Sequence, residues 1–161
     1  MKKTALLLLA GVVMFSASLS AESAEKRKAV ARRVFEEIFN QGRFEVADAI
    51  YAKDFVNHGA TRDIGLKEDQ EAARGWRSAF PDLKMKVDKT LVDGEFVTVL
   101  WSGEGTNTGE GNGLPATGKM LKGRGITIWR ISGGKIREEW SEFDQMRIMR
   151  QLGLLPAPPQ P

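Results

Sequence analysis

The chain has no cysteine and only one histidine, His58. Without cysteine there is no disulfide framework and no cysteine-linked lipid anchor. With a single histidine as well, the His/Cys ligand sets of most protein metal centres are out of reach. No G-x-S-x-G nucleophile elbow occurs. Charge of one sign is scarce too: once Lys2 and Lys3 are set aside, 22 basic residues face 21 acidic ones. They alternate at helix-surface spacing, which reads as solvated face and excludes the clustered basic footprint of a nucleic-acid binder. The longest apolar run, residues 5–15, is too short to span a bilayer. No repeat or linker divides the 161 residues, so one domain is expected.

What is present begins with a leader. Lys2 and Lys3 precede the apolar run, and small residues follow it up to Ala21. This is the layout of a signal peptide, residues 1–21, cleaved after Ala21, with an uncleaved anchor as the alternative. The expected location is periplasmic or secreted, with no stable membrane insertion after cleavage.

Residues 24–40 carry apolar side chains at Val30, Val34, Ile38 and at Ala31, Phe35, Phe39, the stripe of an amphipathic helix. A short helix is expected over 44–51 and a brief extended piece over 54–59. A third helix follows over 66–80, with Trp76 and Phe80 on one face. From Leu83 the period becomes two, and four long antiparallel strands are expected: from Leu83, over 96–101, over 119–131 and over 135–143. Six glycines between Gly103 and Gly118 mark a long loop or bulged strand ends. Ser132-Gly133-Gly134 is a tight turn. Met146, Met149 and Leu152 return to helical spacing, closed by Gly153. A Pro-rich tail, 157–161, ends the chain. The plan is α+β, with a strongly curved sheet wrapping the helices around a pocket.

Four stretches carry a family resemblance: FNQGRFEVADAIYAKDFVNHG, FPDLKMKVD, GTNTGEGNGLPATGKML and WRISGGKIREEWSEFDQMRIMRQLGLLP. In this order and spacing, over residues 26–156, the chain resembles the SnoaL-like polyketide cyclases (ester cyclases) of the nuclear transport factor two-like superfamily. The resemblance implies a cone-shaped, cystatin-like α+β barrel with a curved antiparallel sheet around N-terminal helices and an apolar cavity. It also implies a homodimer or higher oligomer paired through the sheet, no metal and no organic cofactor. Characterised members close a ring by intramolecular aldol condensation with a pocket aspartate as acid/base. That aspartate falls at Ser141 here, directly after Trp140, and a pocket histidine of those enzymes falls at Thr127. A serine hydroxyl is no base near neutral pH unless another group takes its proton.

Three candidates for acid/base work follow. His58, in Asn57-His-Gly59, sits at a position the resemblance places beside the pocket, as a proton carrier or a structural histidine. Asp144 is either the N-cap of the last helix or a pocket acid. Glu139 shares a strand face with Ser141. Should that face be the inner one, burial would raise its pKa into a usable range; otherwise it is a solvated glutamate. Trp76, Phe80, Trp101 and Trp129 are candidate walls or plain core, Asn107 a pocket hydrogen-bonder or a turn residue, and Thr127 and Ser141 polar lining. Two functions fit. One is cofactor-free acid/base chemistry (cyclase, isomerase or lyase type) on a small, apolar, carbonyl-bearing, polyketide-like or ester substrate. The other is a non-catalytic periplasmic binding or dimerisation module.

Overall fold

The computed structural model describes residues 23–156; the leader and the Pro-rich tail lie outside the described residues. The first helix, α1, is α-helical over 23–33 and continues as a π-helical segment, Val34–Asn40. Val34, Phe35 and Ile38 of that segment are buried, and the helix stops at Gln41-Gly42, where Gly42 takes a φ of 69°. A 3₁₀ turn, Phe44–Val46, leads into the single-turn α2, Ala47–Ile50. The strands are β1 (Tyr51–His58), β2 (Asp63–Gly65), β3 (Lys84–Asp93), β4 (Phe96–Thr106), β5 (Met120–Ser132) and β6 (Lys135–Phe143). Helix α3, Leu66–Ala79, lies between β2 and β3, and α4, Gln145–Gln151, follows β6.

The expected cone-shaped, cystatin-like barrel with a curved antiparallel sheet is not what forms. The sheet has six strands in the order β2-β1-β6-β5-β4-β3; it is mixed, because β1 runs parallel to β6, and it is neither closed into a barrel nor strongly curled. Closure would need the β3 edge to find another strand. Instead the Asn40 side chain, at the end of α1, occupies that edge: its amide donates to the Met85 carbonyl (2.9 Å) and accepts from the Met85 N–H (2.7 Å). One residue thus satisfies edge groups that a neighbouring strand would otherwise take. At the far edge β2 is only three residues long.

The helices cover one face of the sheet. The main core joins Phe35 and Ile38 of α1 with Ile50, Tyr51, Phe55, Val97, Val99, Trp129, Ile131 and Ile136. A second cluster at the other end packs Phe80, Leu83, Leu114, Leu121, Ile148 and Leu152. The loop between β4 and β5 is locked to the end of α3. There Gly109 and Gly111 come so close that an added Cβ would lie about 2 Å from the Ser78 and Gly75 carbonyls. Asn107, fully buried, is the clamp: its amide donates to the Ala79 and Gly109 carbonyls, and its oxygen accepts from the Thr117 N–H and hydroxyl. Asn107→Ala orphans those groups and is expected to lower stability by about 2–3 kcal/mol in urea titration. No helix of the described residues is long and apolar enough to cross a membrane.

Candidate functional site

Between α1, α3 and the inner face of the sheet lies a cavity of about 480 Å³. Strand alternation decides what faces it. Glu139, Ser141 and Phe143 of β6, Thr127 and Trp129 of β5 and Trp101 of β4 point inward. On β1 the inward residues are Tyr51 and Asn57, the latter paired in register with Glu139. From α3 come Asp69, Gln70, Ala73 and Trp76, and from α1 Val34, Phe35, Ile38 and Phe39. Six aromatic rings of Phe or Trp therefore surround a small set of polar groups, the usual make-up of a small-molecule pocket.

The polar groups form one network. Trp101 Nε1 donates to Thr127 Oγ1 at 3.0 Å; the Thr127 and Ser141 hydroxyls lie 2.7 Å apart; Ser141 Oγ donates to Glu139 Oε1 at 2.9 Å. With Glu139 ionised the two ends fix the direction of the chain, since an indole N–H only donates and a carboxylate only accepts. Trp101 reaches Thr127 because its cross-strand neighbour is Gly125, where a Cβ would sit 2.3 Å from the indole ring. On its other oxygen Glu139 accepts from Trp129 Nε1 at 2.7 Å. Asn57 Nδ2 donates to Asp69 Oδ1 at 2.8 Å and reaches Glu139 Oε1 at 3.5 Å, while Gln70 Nε2 donates to Asp69 Oδ2 at 3.2 Å.

No ion pair reaches Asp69 or Glu139 among the described residues. Burial therefore dominates: it pushes the Glu139 carboxyl up to about 8, with the negative charge of Asp69 adding to the rise and the bonds from Trp129 and Ser141 opposing it. The surface that Glu139 keeps faces the cavity. Asp69 is raised as well, by burial against the opposing bonds from Asn57 and Gln70. The Tyr51 phenol, in the same cavity, is held well above its usual range by burial and by both carboxylates, and stays neutral.

The candidates separate. Trp76, Trp101, Thr127, Trp129, Glu139, Ser141 and Asp144 all line the cavity. Asp144 also caps α4, accepting from the Arg147 N–H at 2.8 Å. Phe80 packs in the second core cluster, and Asn107 clamps the loop described above; neither lines the cavity. His58 does not line it either, because Asn57 faces inward and its neighbour on the strand faces out. There His58 stacks on Trp140 (centroids 4.7 Å apart), with Nδ1 3.2 Å from Asp63 and Nε2 3.4 Å from Glu138. Tyr51, Asn57, Asp69 and Gln70, the groups around the Glu139 carboxyl, escaped the sequence reading. Asp69 did leave a signal, a carboxylate in helical register with Ala73 and Trp76 on an otherwise apolar stripe.

The chain is similar to several known proteins. Nogalonic acid methyl ester cyclase of Streptomyces nogalater is 28% identical over 122 residues, covering 71% of this chain and 89% of that protein. AclR of Streptomyces galilaeus, a proposed hydroxylase, superposes with a TM-score of 0.76 at 22% identity, over 85% of this chain and 87% of its own. A proposed polyketide cyclase of Bacillus cereus does so at 0.74 and 26% identity, over 87% and 89%. The model of the SnoaL-like polyketide cyclases matches residues 29–152, and the chain belongs to that family, within the nuclear transport factor two-like superfamily.

Proposed function

We propose that this protein is a cofactor-free acid/base enzyme of the cyclase, isomerase or lyase type, acting on a small, apolar, carbonyl-bearing, polyketide-like or ester substrate. The observation that supports it best is the Glu139 carboxyl, set in an aromatic cavity and raised to about 8, close to the working range of a general base. Ionised Glu139 takes the proton from a carbon next to the substrate carbonyl, and the neutral Tyr51 phenol donates to the enolate oxygen. In a cyclisation the enolate carbon then bonds to a second carbonyl carbon, and the alkoxide so formed recovers the proton from Glu139. No atom is lost. The hydroxyls of Thr127 and Ser141, at the positions where family cyclases carry histidine and aspartate, hold Glu139 in place rather than move the proton. The acid/base group has thus shifted two residues along the same strand face. The nogalonic acid methyl ester cyclase relative supports a substrate of the polyketide ester class.

Two further elements belong to the same reading. The leader sequence supports export to the periplasm or beyond. Leu91, Phe96, Leu100 and Ile126, exposed on the outer face of the sheet, support a homodimer paired there.

The test uses 1-tetralone, an aromatic ketone, in deuterated buffer near neutrality. The protein is expected to speed deuterium entry next to the carbonyl, followed by proton NMR, well beyond the buffer rate. Tight binding of the ketone with no acceleration would instead assign the cavity to a non-catalytic carrier.

A further inference from the structure

We infer that Asp69 and Glu139 act as one proton-sharing pair bridged by Asn57, in which Asp69 is the positioning residue that sets the base strength of Glu139. The inference deepens the acid/base reading and rests on it for its catalytic meaning. Its ground is geometric. A single nitrogen, Asn57 Nδ2, is 2.8 Å from one carboxylate and 3.5 Å from the other, so the two acids lie within two hydrogen-bond lengths of each other. They arrive from different elements, Asp69 from α3 and Glu139 from β6, and meet in a cavity walled by Phe35, Trp76, Trp101 and Trp129. Two like charges that close, in a poorly hydrated site, do not both ionise near neutrality; one proton stays on the pair.

The surrounding groups leave this pairing dominant. From β1, Tyr51 is neutral; from β5, Trp129 and Thr127 offer only uncharged polar atoms; α1 presents apolar side chains alone. Asp144 and Arg147 line the cavity at α4, while Glu104, Lys122 and Arg124 border it where β4 and β5 run out. None of them is paired with Asp69 or Glu139. The bridging amide lowers the cost of the shared negative charge by donating to it. Asp69 opposes ionisation of Glu139 by its charge. The two neighbours therefore pull in opposite directions.

That opposition is the test, on the whole protein labelled with carbon-13 at glutamate carboxyls. In Asp69→Asn the Glu139 resonance is expected to titrate at lower pH, toward the ordinary carboxylate range, and the pH–rate limb for 1-tetralone exchange to move with it. At pH 7, where a carboxyl of pKa about 8 is ionised in roughly one molecule in ten, the fraction of active base rises several-fold. In Asn57→Leu the titration is expected to move upward. Asp69→Ser is the alternative neutral variant should Asp69→Asn fold poorly. An unmoved or raised Glu139 titration in the Asp69 variants overturns the inference, and so does a lowered one in Asn57→Leu. The titration shifts without any exchange activity would keep the pair and remove the enzyme; exchange activity with an unmoved titration would do the reverse.

Discussion

Glu139→Gln lowers the rate of deuterium exchange by about 10²–10⁴-fold, the range in which removal of a positioned general base falls. Gln has nearly the shape of Glu, so Trp129 keeps an acceptor and the aromatic walls keep their contacts. What changes is the proton: an amide cannot take one from carbon near neutral pH. The Ser141 hydroxyl also turns: the amide nitrogen of Gln donates to it and it turns its own proton toward Thr127, which Trp101 still meets as a donor from the other side. Ligand binding is expected to stay within a few-fold of the parent, since the apolar walls are untouched. A residual rate within tenfold of the parent would remove Glu139 from the role of base. His58→Ala serves as the contrast. The imidazole lies on the outer face of the sheet, stacked on Trp140, and its loss is expected to leave the exchange rate within about twofold.

How far the sequence revealed this site depends on which period carried each residue. β5 alternates cleanly and β6 keeps step with it from Glu138 onward, past a register shift at Ile136, so Thr127, Trp129, Glu139 and Ser141 are legible as one face, although not as the inner one. β1 was not legible. Its burial runs two buried, two exposed, one buried, and its pairing with β6 slips between Tyr51 and Val56. A parallel strand with a bulge has no simple alternation to read, and so Tyr51 looks helical and Asn57 falls in a brief extended or turning piece. With β1 unrecognised the sequence shows only four long antiparallel strands, for which a strongly curved sheet is the expected form and a barrel is what the family resemblance implies. The edge contact that leaves the sheet open, Asn40 on Met85, spans 45 residues and has no local signature. Asp69 was hidden differently. It sits in Lys67-Glu68-Asp69-Gln70-Glu71, where neighbouring charges make it look like solvated surface. Only its register with Ala73 and Trp76 separates it from Glu68, which faces out and pairs with Arg62.

The same buried acid has a consequence for stability that needs no substrate to observe. Glu139 titrates at about 8 in the folded chain, against an ordinary value of 4.5. Folded protein therefore holds this proton more tightly than unfolded protein. Below about pH 4.5 the acid is neutral in both states and the folded state bears no penalty. As pH rises from there to 8 the unfolded chain ionises freely while the folded one resists, and stability falls; above 8 the loss is complete. Water entering the cavity relieves part of the burial cost, which sets the loss at about 2–4 kcal/mol rather than the full value of the shift. Asp69, raised in the same direction, adds to the slope at the acidic end. Glu139→Gln removes the ionisation. Its thermal midpoint is expected to match that of the parent within a few degrees at pH 4.5 and to exceed it by roughly 10 °C at pH 9. Calorimetry of both proteins across this range decides the matter, since curves that stay parallel would mean that Glu139 is hydrated in the folded chain and ionises like a surface carboxylate. A variant that loses the reaction and gains stability, and gains it only on the alkaline side, would identify the carboxyl as one kept in an unfavourable place for its chemistry.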